Sequence, residues 1–141
     1  MRIAGVLATA LAAPVLAQAA DLDRGKTIFN KCRACHQIGA TAKNSVGPIL
    51  NGVVGRPAAS EANFAYSEAM RTAKLVWDEA TLDQYLANPR TFVAGTKMTF
   101  AGLLEPEDRA DLIAWLKQYG PDGTLASAAA QPVSPVGDPP K

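Results

Sequence analysis

Five consecutive residues, Cys32-Arg33-Ala34-Cys35-His36, contain the only two cysteines and the only histidine of the chain. On a helical turn, residues three apart face the same side. Both thiols can therefore reach the two vinyl groups of one porphyrin, and the histidine that follows is carried under the ring, where an imidazole nitrogen can bind iron. The box reads as covalent attachment of one haem c through Cys32 and Cys35, with His36 as an iron ligand. Three other readings leave part of it unused. A thioredoxin-type dithiol wants a βαβ setting, a structural zinc site wants four ligands, and a disulfide across so short a loop gives His36 no purpose.

The second face of the iron has fewer candidates. Without another histidine, bis-histidine ligation is excluded, which leaves a methionine, a lysine or an open position. Besides Met1 the chain has Met70 and Met98. Met98 lies in Gly95-Thr96-Lys97-Met98-Thr99-Phe100, between a helix ending at Asn88 and another opening near Glu105. A loop that far from His36 in sequence can fold over the opposite haem face. Met70 falls on a short helix, where core packing is the ordinary use of its side chain.

The elements that must position these residues read as helices. Asp21 can cap a first helix with Leu22, Gly25, Phe29 and Cys32 on one face. Gly25 inside it costs about 1 kcal/mol relative to Ala, which points to a second helix passing close by. Gly39, Gly47, Pro48, Gly52, Gly55 and Pro57 make the next stretch a long loop. Ser67 opens a short helix through Ala73. Asp78 opens another through Asn88, with Leu82, Tyr85 and Leu86 inward and Pro89 as the stop. The last helix has Pro106 at its first position and Glu107 and Asp108 at its positive end. Leu112, Ile113, Trp115, Leu116 and Tyr119 supply its apolar stripe, and Gly120-Pro121 ends it. No segment alternates at period two, so the expected fold class is all-α.

The ends are separable. Met1-Arg2, the uncharged run Ile3–Ala13, Pro14 and the small residues Ala17-Gln18-Ala19 predict a signal peptide over 1–19, cut after Ala19. The alternative is a retained membrane anchor, but the run is Ala-rich, broken by Pro14 and barely long enough to span. Pro121, Pro132, Pro135, Pro139 and Pro140, with no aromatic residue, predict a Pro-rich disordered tail over 121–141. One domain over 20–120 remains. The 141 residues are 48% hydrophobic and 19% charged with a net charge of +1, a globular composition that argues against a nucleic-acid binder relying on bulk positive charge. Export places both cysteines in an oxidising compartment, where they must be occupied. A domain this small, with short helices and Gly-rich loops, also needs support beyond its core.

These residues resemble a class I cytochrome c, close to the mitochondrial type and its bacterial relatives, over essentially all of Asp21–Gly120. Gly25-Lys-Thr-Ile-Phe29 resembles the family's N-terminal helix, which crosses the C-terminal helix carrying Leu112 and Trp115. Gly47-Pro48-Ile-Leu50 resembles the segment after the haem box, and Tyr85-Leu86-Ala-Asn88-Pro89 with Gly95-Thr-Lys-Met98 resembles the axial-methionine region. The resemblance implies the cytochrome c fold, short helices around one covalently bound haem, and makes Met98 the sixth ligand. It further implies that Pro48 accepts the second ring N–H of His36 and that Tyr85 aims its hydroxyl near the Met98 sulfur. Arg56, Tyr66 and Trp77 would then meet the haem propionates, since buried negative charge needs donors; for the two aromatics, plain packing is the alternative. Met70 departs from the family by standing where a polar Asn is usual, and Asn44 stands where a His often steadies the loop near Pro48.

The implied activity is reversible one-electron transfer by a soluble carrier, not an enzyme, since nothing suggests a catalytic acid–base pair. Two other classes compete: a haem enzyme or gas sensor, if the Met98 bond is absent, and a membrane-tethered redox module, if the leader is retained. The expected partners are membrane or periplasmic redox proteins serving as electron donor and acceptor, with no nucleic acid, no stable membrane insertion after cleavage, and a monomeric carrier in a bacterial periplasm. Lys26, Lys31, Arg33, Lys43 and Lys97 flank the haem-bearing residues, and Glu105, Glu107, Asp108 and Asp111 gather on the last helix. That pattern predicts a positive front and a negative back that steer the carrier to an acidic partner.

Overall fold

A computed structural model of the protein describes residues 18–126. The expected all-α class holds: five helices carry the domain, and only the isolated bridges Pro57–Val76 and Tyr119–Leu125 pair extended backbone among the described residues. The helices are α1 (Leu22–Ile28, continued as a 3₁₀ turn Phe29–Lys31), α2 (Glu68–Thr72), α3 (Glu79–Ala87), α4 (Pro89–Phe92) and α5 (Pro106–Lys117). Local chemistry sets their starts. The side chains of Asp21, Ser67, Asp78 and Asn88 accept the N–H groups of Arg24, Met70, Thr81 and Thr91, and Pro106 opens α5. Each bond satisfies a donor that the first helical turn otherwise leaves without a partner.

Packing is organised by α1 against α5. A Cβ on Gly25 would lie 2.1 Å from the Asp111 carbonyl oxygen, so only glycine lets the two backbones approach this closely. Phe29 then meets Trp115 at 4.7 Å between ring centroids, and Leu112 is 1% exposed. Asp111 also receives the Asp21 N–H at 2.8 Å, while Arg24 reaches both Asp108 and Asp111. Because α1 runs straight into the 3₁₀ turn, this crossing fixes where Cys32 begins.

The structure departs from the sequence expectations in four places. Leu22 does not join the inner face of α1; it is 43% exposed, with Gly25, Ile28 and Phe29 turned inward instead. Pro89 stops α3 but also begins α4, because Asn88 ends one helix and caps the next. Asp111 is buried between α1 and α5, so it is no part of an exposed acidic face. The segment 121–126, expected to start a disordered tail, is held against the domain. Gly120 N–H donates to Thr124 O at 2.9 Å, Ala126 N–H to Gln118 O at 2.6 Å, and Gly123 sits directly on Gly39 and Asn51. Backbone hydrogen bonds hold this stretch, a contribution that a count of apolar side chains misses. The leader up to residue 17 and the tail from residue 127 lie outside the described residues.

Candidate functional site

The box folds as a tight turn after the 3₁₀ segment. The N–H groups of Cys35 and His36 both donate to Cys32 O, at 3.1 and 2.9 Å. Both cysteines are half-buried and unpaired. Burial, with the neighbouring Cys35 adding to it, pushes the Cys32 thiol up to about 11. A redox-active dithiol needs a depressed, thiolate-forming cysteine, which Cys32 is not. Among the described residues no three His, Cys, Asp or Glu side chains gather to hold a metal ion.

His36 is fixed by the loop that follows it. Its Nδ1 lies 2.7 Å from the Pro48 carbonyl oxygen, which can only accept, so Nδ1 carries the ring proton. Burial depresses the imidazole pKa, and the Arg56 charge adds to this against the opposing pull of Pro48. The ring is therefore neutral, with Nε2 free to act as a ligand. Gly47 is required beside it, since a Cβ there would lie 2.4 Å from the ring. The loop is braced by Asn44, whose Oδ1 accepts from Ile49 N–H at 2.9 Å while Nδ2 donates to Ala62 O at 2.9 Å. The residue that departs from the family pattern thus still ties the Pro48 loop down.

His36 lines a cavity of about 690 Å³ that also meets Cys32, Cys35, Pro48, Arg56, Tyr66, Trp77, Tyr85 and Met98. All nine residues that the sequence offers for holding the cofactor come to this one space. Leu50, Val53, Leu82, Leu86, Leu112 and Leu116 form its apolar walls. The size lies within the roughly 300–1,000 Å³ of cofactor sites.

The polar groups at the cavity match an acidic, iron-bearing macrocycle. Gly55–Ala58 pairs with Leu75–Trp77 through backbone bonds of 2.8–2.9 Å, which brings Arg56 and Trp77 to one wall. Arg56 donates to Ile49 O, Asn51 O and Glu61, yet its Nε is buried with no partner, the only such side-chain atom among the described residues. A buried donor left over at a cavity wall fits an anionic group there. Tyr66 accepts from the Glu61 N–H at 3.2 Å, which leaves its own O–H to donate. Burial raises the pKa of both Tyr66 and Tyr85, so both hydroxyls keep their protons.

Met98 arrives on the loop between α4 and α5, half-buried, with Sδ 3.9 Å from the Tyr85 hydroxyl. That hydroxyl also meets Thr96 Oγ1 at 3.1 Å, and Thr96 Oγ1 accepts from Met98 N–H at 3.3 Å. No sequence pattern assigns Thr96 a role, although it lies inside the motif that carries Met98. Met70 is buried and lines the same cavity, so a second thioether stands at its wall. Of the basic residues around the box, Lys31 and Lys97 reach the cavity lining while remaining exposed.

Comparison with known proteins agrees with this geometry. The family model described as Cytochrome c matches residues 22–120. The chain is 54% identical over 103 residues to cytochrome c2 of Rhodomicrobium vannielii, covering 72% of this chain and 82% of that protein. It is 50% identical over 106 residues to cytochrome c2 of Rhodoblastus acidophilus, covering 75% and 99%. Among solved structures, cytochrome cH from Methylobacterium extorquens superposes with a TM-score of 0.66 at 43% identity, covering 70% of this chain and 98% of that one.

Proposed function

The chain belongs to the cytochrome c family, and on that footing we propose a soluble, exported shuttle whose iron is held between His36 and Met98. It is a monohaem electron carrier that binds haem c covalently through Cys32 and Cys35. One observation supports the ligand pair above others: a neutral imidazole fixed by Pro48 and a thioether reached by Tyr85 line one apolar cavity together with both thiols. When bound, the haem supplies reversible one-electron transfer at its iron.

The chain's own residues do the rest. Pro48 holds the His36 Nδ1–H, orienting the ring and raising the basicity of Nε2. Met98 would offer the iron a soft sulfur that favours its reduced form and, with His36, would keep small molecules from it. Tyr85 turns its O–H toward that sulfur and draws electron density from it. Arg56, Tyr66 and Trp77 offer donors to the propionates, with Arg56 Nε as the donor that has no protein partner. These groups form no acid–base pair suited to turnover, and the reading includes no enzymatic activity.

Docking is read from charge. Lys31 and Lys97, with the 74%-exposed Val46, line the side on which the cavity opens. An apolar contact flanked by two lysines suits acidic redox proteins of the membrane or periplasm. Rates with such a partner should fall as ionic strength rises; a salt-independent rate removes the steering. Export is read from the leader, and the mature protein should begin at Ala20, whereas a start at Met1 or Arg2 supports an anchor. No helix among the described residues is long and apolar enough to cross a membrane.

The ligand reading is tested in the oxidised protein. It should show the red absorption band of a thioether on ferric haem iron, and Met98→Ala should lose that band and take up cyanide or azide. If the unaltered protein already binds cyanide as readily as a five-coordinate haem does, Met98 is not a ligand.

A further inference from the structure

Arg109 is a charged residue only 9% exposed, on the second turn of α5 and absent from the cavity wall. Its Nε donates to Asp83 Oδ1 on α3 at 2.7 Å, and its Nη1 donates to both Leu103 O and Leu104 O at 2.9 Å. Those two carbonyls close the segment that carries Met98. The same stretch is stitched to α3: Leu103 N–H donates to Leu86 O at 2.8 Å. Gly102, at φ +110°, packs so tightly that a Cβ would lie 2.3 Å from Ala87 O. Upstream of Met98, Thr96 is tied to the same helix through the Tyr85 hydroxyl.

Met98 is therefore suspended between two attachments to α3, at Thr96 and at Gly102–Leu103, and the second is locked from α5 by a guanidinium. α3 and α5 also bury Leu82, Leu86, Leu112, Ile113 and Leu116, so their packing does not depend on Arg109. The fork of Arg109 serves chiefly the loop between them. We propose that Arg109, buttressed by Asp83, is the positioning residue for the Met98 thioether, and that it sets how readily the sulfur leaves the iron. The proposal rests on Met98 being the ligand. A lysine cannot replace the fork, because one ammonium cannot present the same planar set of donors to a carboxylate and two carbonyls.

The experiment uses oxidised holoprotein in four forms: unaltered, Arg109→Lys, Arg109→Met and Asp83→Asn. Urea titrations follow the red thioether–iron band and the far-ultraviolet helix signal in the same samples, and imidazole binding is measured without urea. In both Arg109 variants the band should disappear at clearly lower urea than the helix signal. Imidazole, which competes with Met98, should bind ~10- to 100-fold more tightly, the value of a lost hydrogen bond from a charged donor. Asp83→Asn should fall between, because the guanidinium keeps both carbonyls; Asp83 is partly exposed, so this variant tests the proposal even if the Arg109 variants fold poorly. If band and helix signal shift together and imidazole affinity is unchanged, Arg109 is only a brace of the fold and the proposal is overturned. A band missing from the unaltered protein would instead remove Met98 as ligand, and this proposal with it.

Discussion

Substituting Gly25 by Ala should damage the protein at the crossing of α1 and α5. The new methyl would stand 2.1 Å from Asp111 O, 2.7 Å from Asp111 C and 2.8 Å from Trp115 Cβ. The first two are backbone atoms of a helix, which no side-chain rotation can move aside. Restoring ordinary contact requires the helices to separate by on the order of 1 Å, and a gap of that size forfeits a quarter to a half of the dispersion attraction along the seam. The seam includes Phe29 on Trp115 and the fully packed Leu112. Overpacking of this kind costs ~1–3 kcal/mol or more, and a clash with backbone places Gly25→Ala at the upper end. Better helix propensity returns ~1 kcal/mol at most. A net loss of about 2–3 kcal/mol lowers Tm by roughly 10–20 °C in a domain of this length. Thermal unfolding of the holoprotein, followed by helix signal and haem absorbance together, measures it. A Tm within about 3 °C of the unaltered protein would refute the claim that close backbone approach, not composition, requires glycine here.

Three other outcomes follow from the structure. Tyr85→Phe removes the O–H that lies 3.1 Å from Thr96 Oγ1 and 3.9 Å from Met98 Sδ; the sulfur becomes a better donor to ferric iron, so the midpoint potential in voltammetry should fall, and a rise would contradict the assigned direction of that hydrogen bond. Asp78 is held below its ordinary 3.8 by the backbone N–H of Thr81 first, then by the Thr81 side chain. Its stabilisation is complete above pH 3.8 and lost as pH falls through the depressed value, so the stability gap to Asp78→Asn should close on acidification through that window in urea titrations. Gly123→Ala should weaken the latch formed by 121–126, because φ is +76° and a Cβ would lie 2.2 Å from Gly39 O. Amide exchange should quicken at Gly39 and Gly52 before it does in α5; uniform exchange would show that the latch is not a separate unit.

Much of the site was legible because its signals are local. The box needs five adjacent residues, and the caps at Asp21, Ser67 and Asp78 act over three. The roles given to Pro48, Tyr85 and Arg56 came from resemblance, and the geometry adds partners that no pattern supplied: Thr96 between Tyr85 and Met98, and Glu61 shared by Arg56 and Tyr66. Leu22 lies outside the buried face because helical periodicity marks a stripe without saying how far its partner extends. An acidic residue in a charged helix is ordinarily surface charge, but the burial of Asp111 depends on Arg24 and on the Asp21 N–H, ninety positions away.

By itself the sequence determined the all-α class, the covalent haem box and the candidate methionine, since each depends on residues close together along the chain. Only the tertiary structure decided that residues 121–126 fold back on residues 39, 51 and 118, that Asn44 still braces the loop beside His36, and that Arg109 reaches from α5 to hold the loop bearing Met98. Those outcomes turn on which distant backbone carbonyl finds a donor when the chain closes, and a polar group buried by that closure must be satisfied by whatever the fold brings to it.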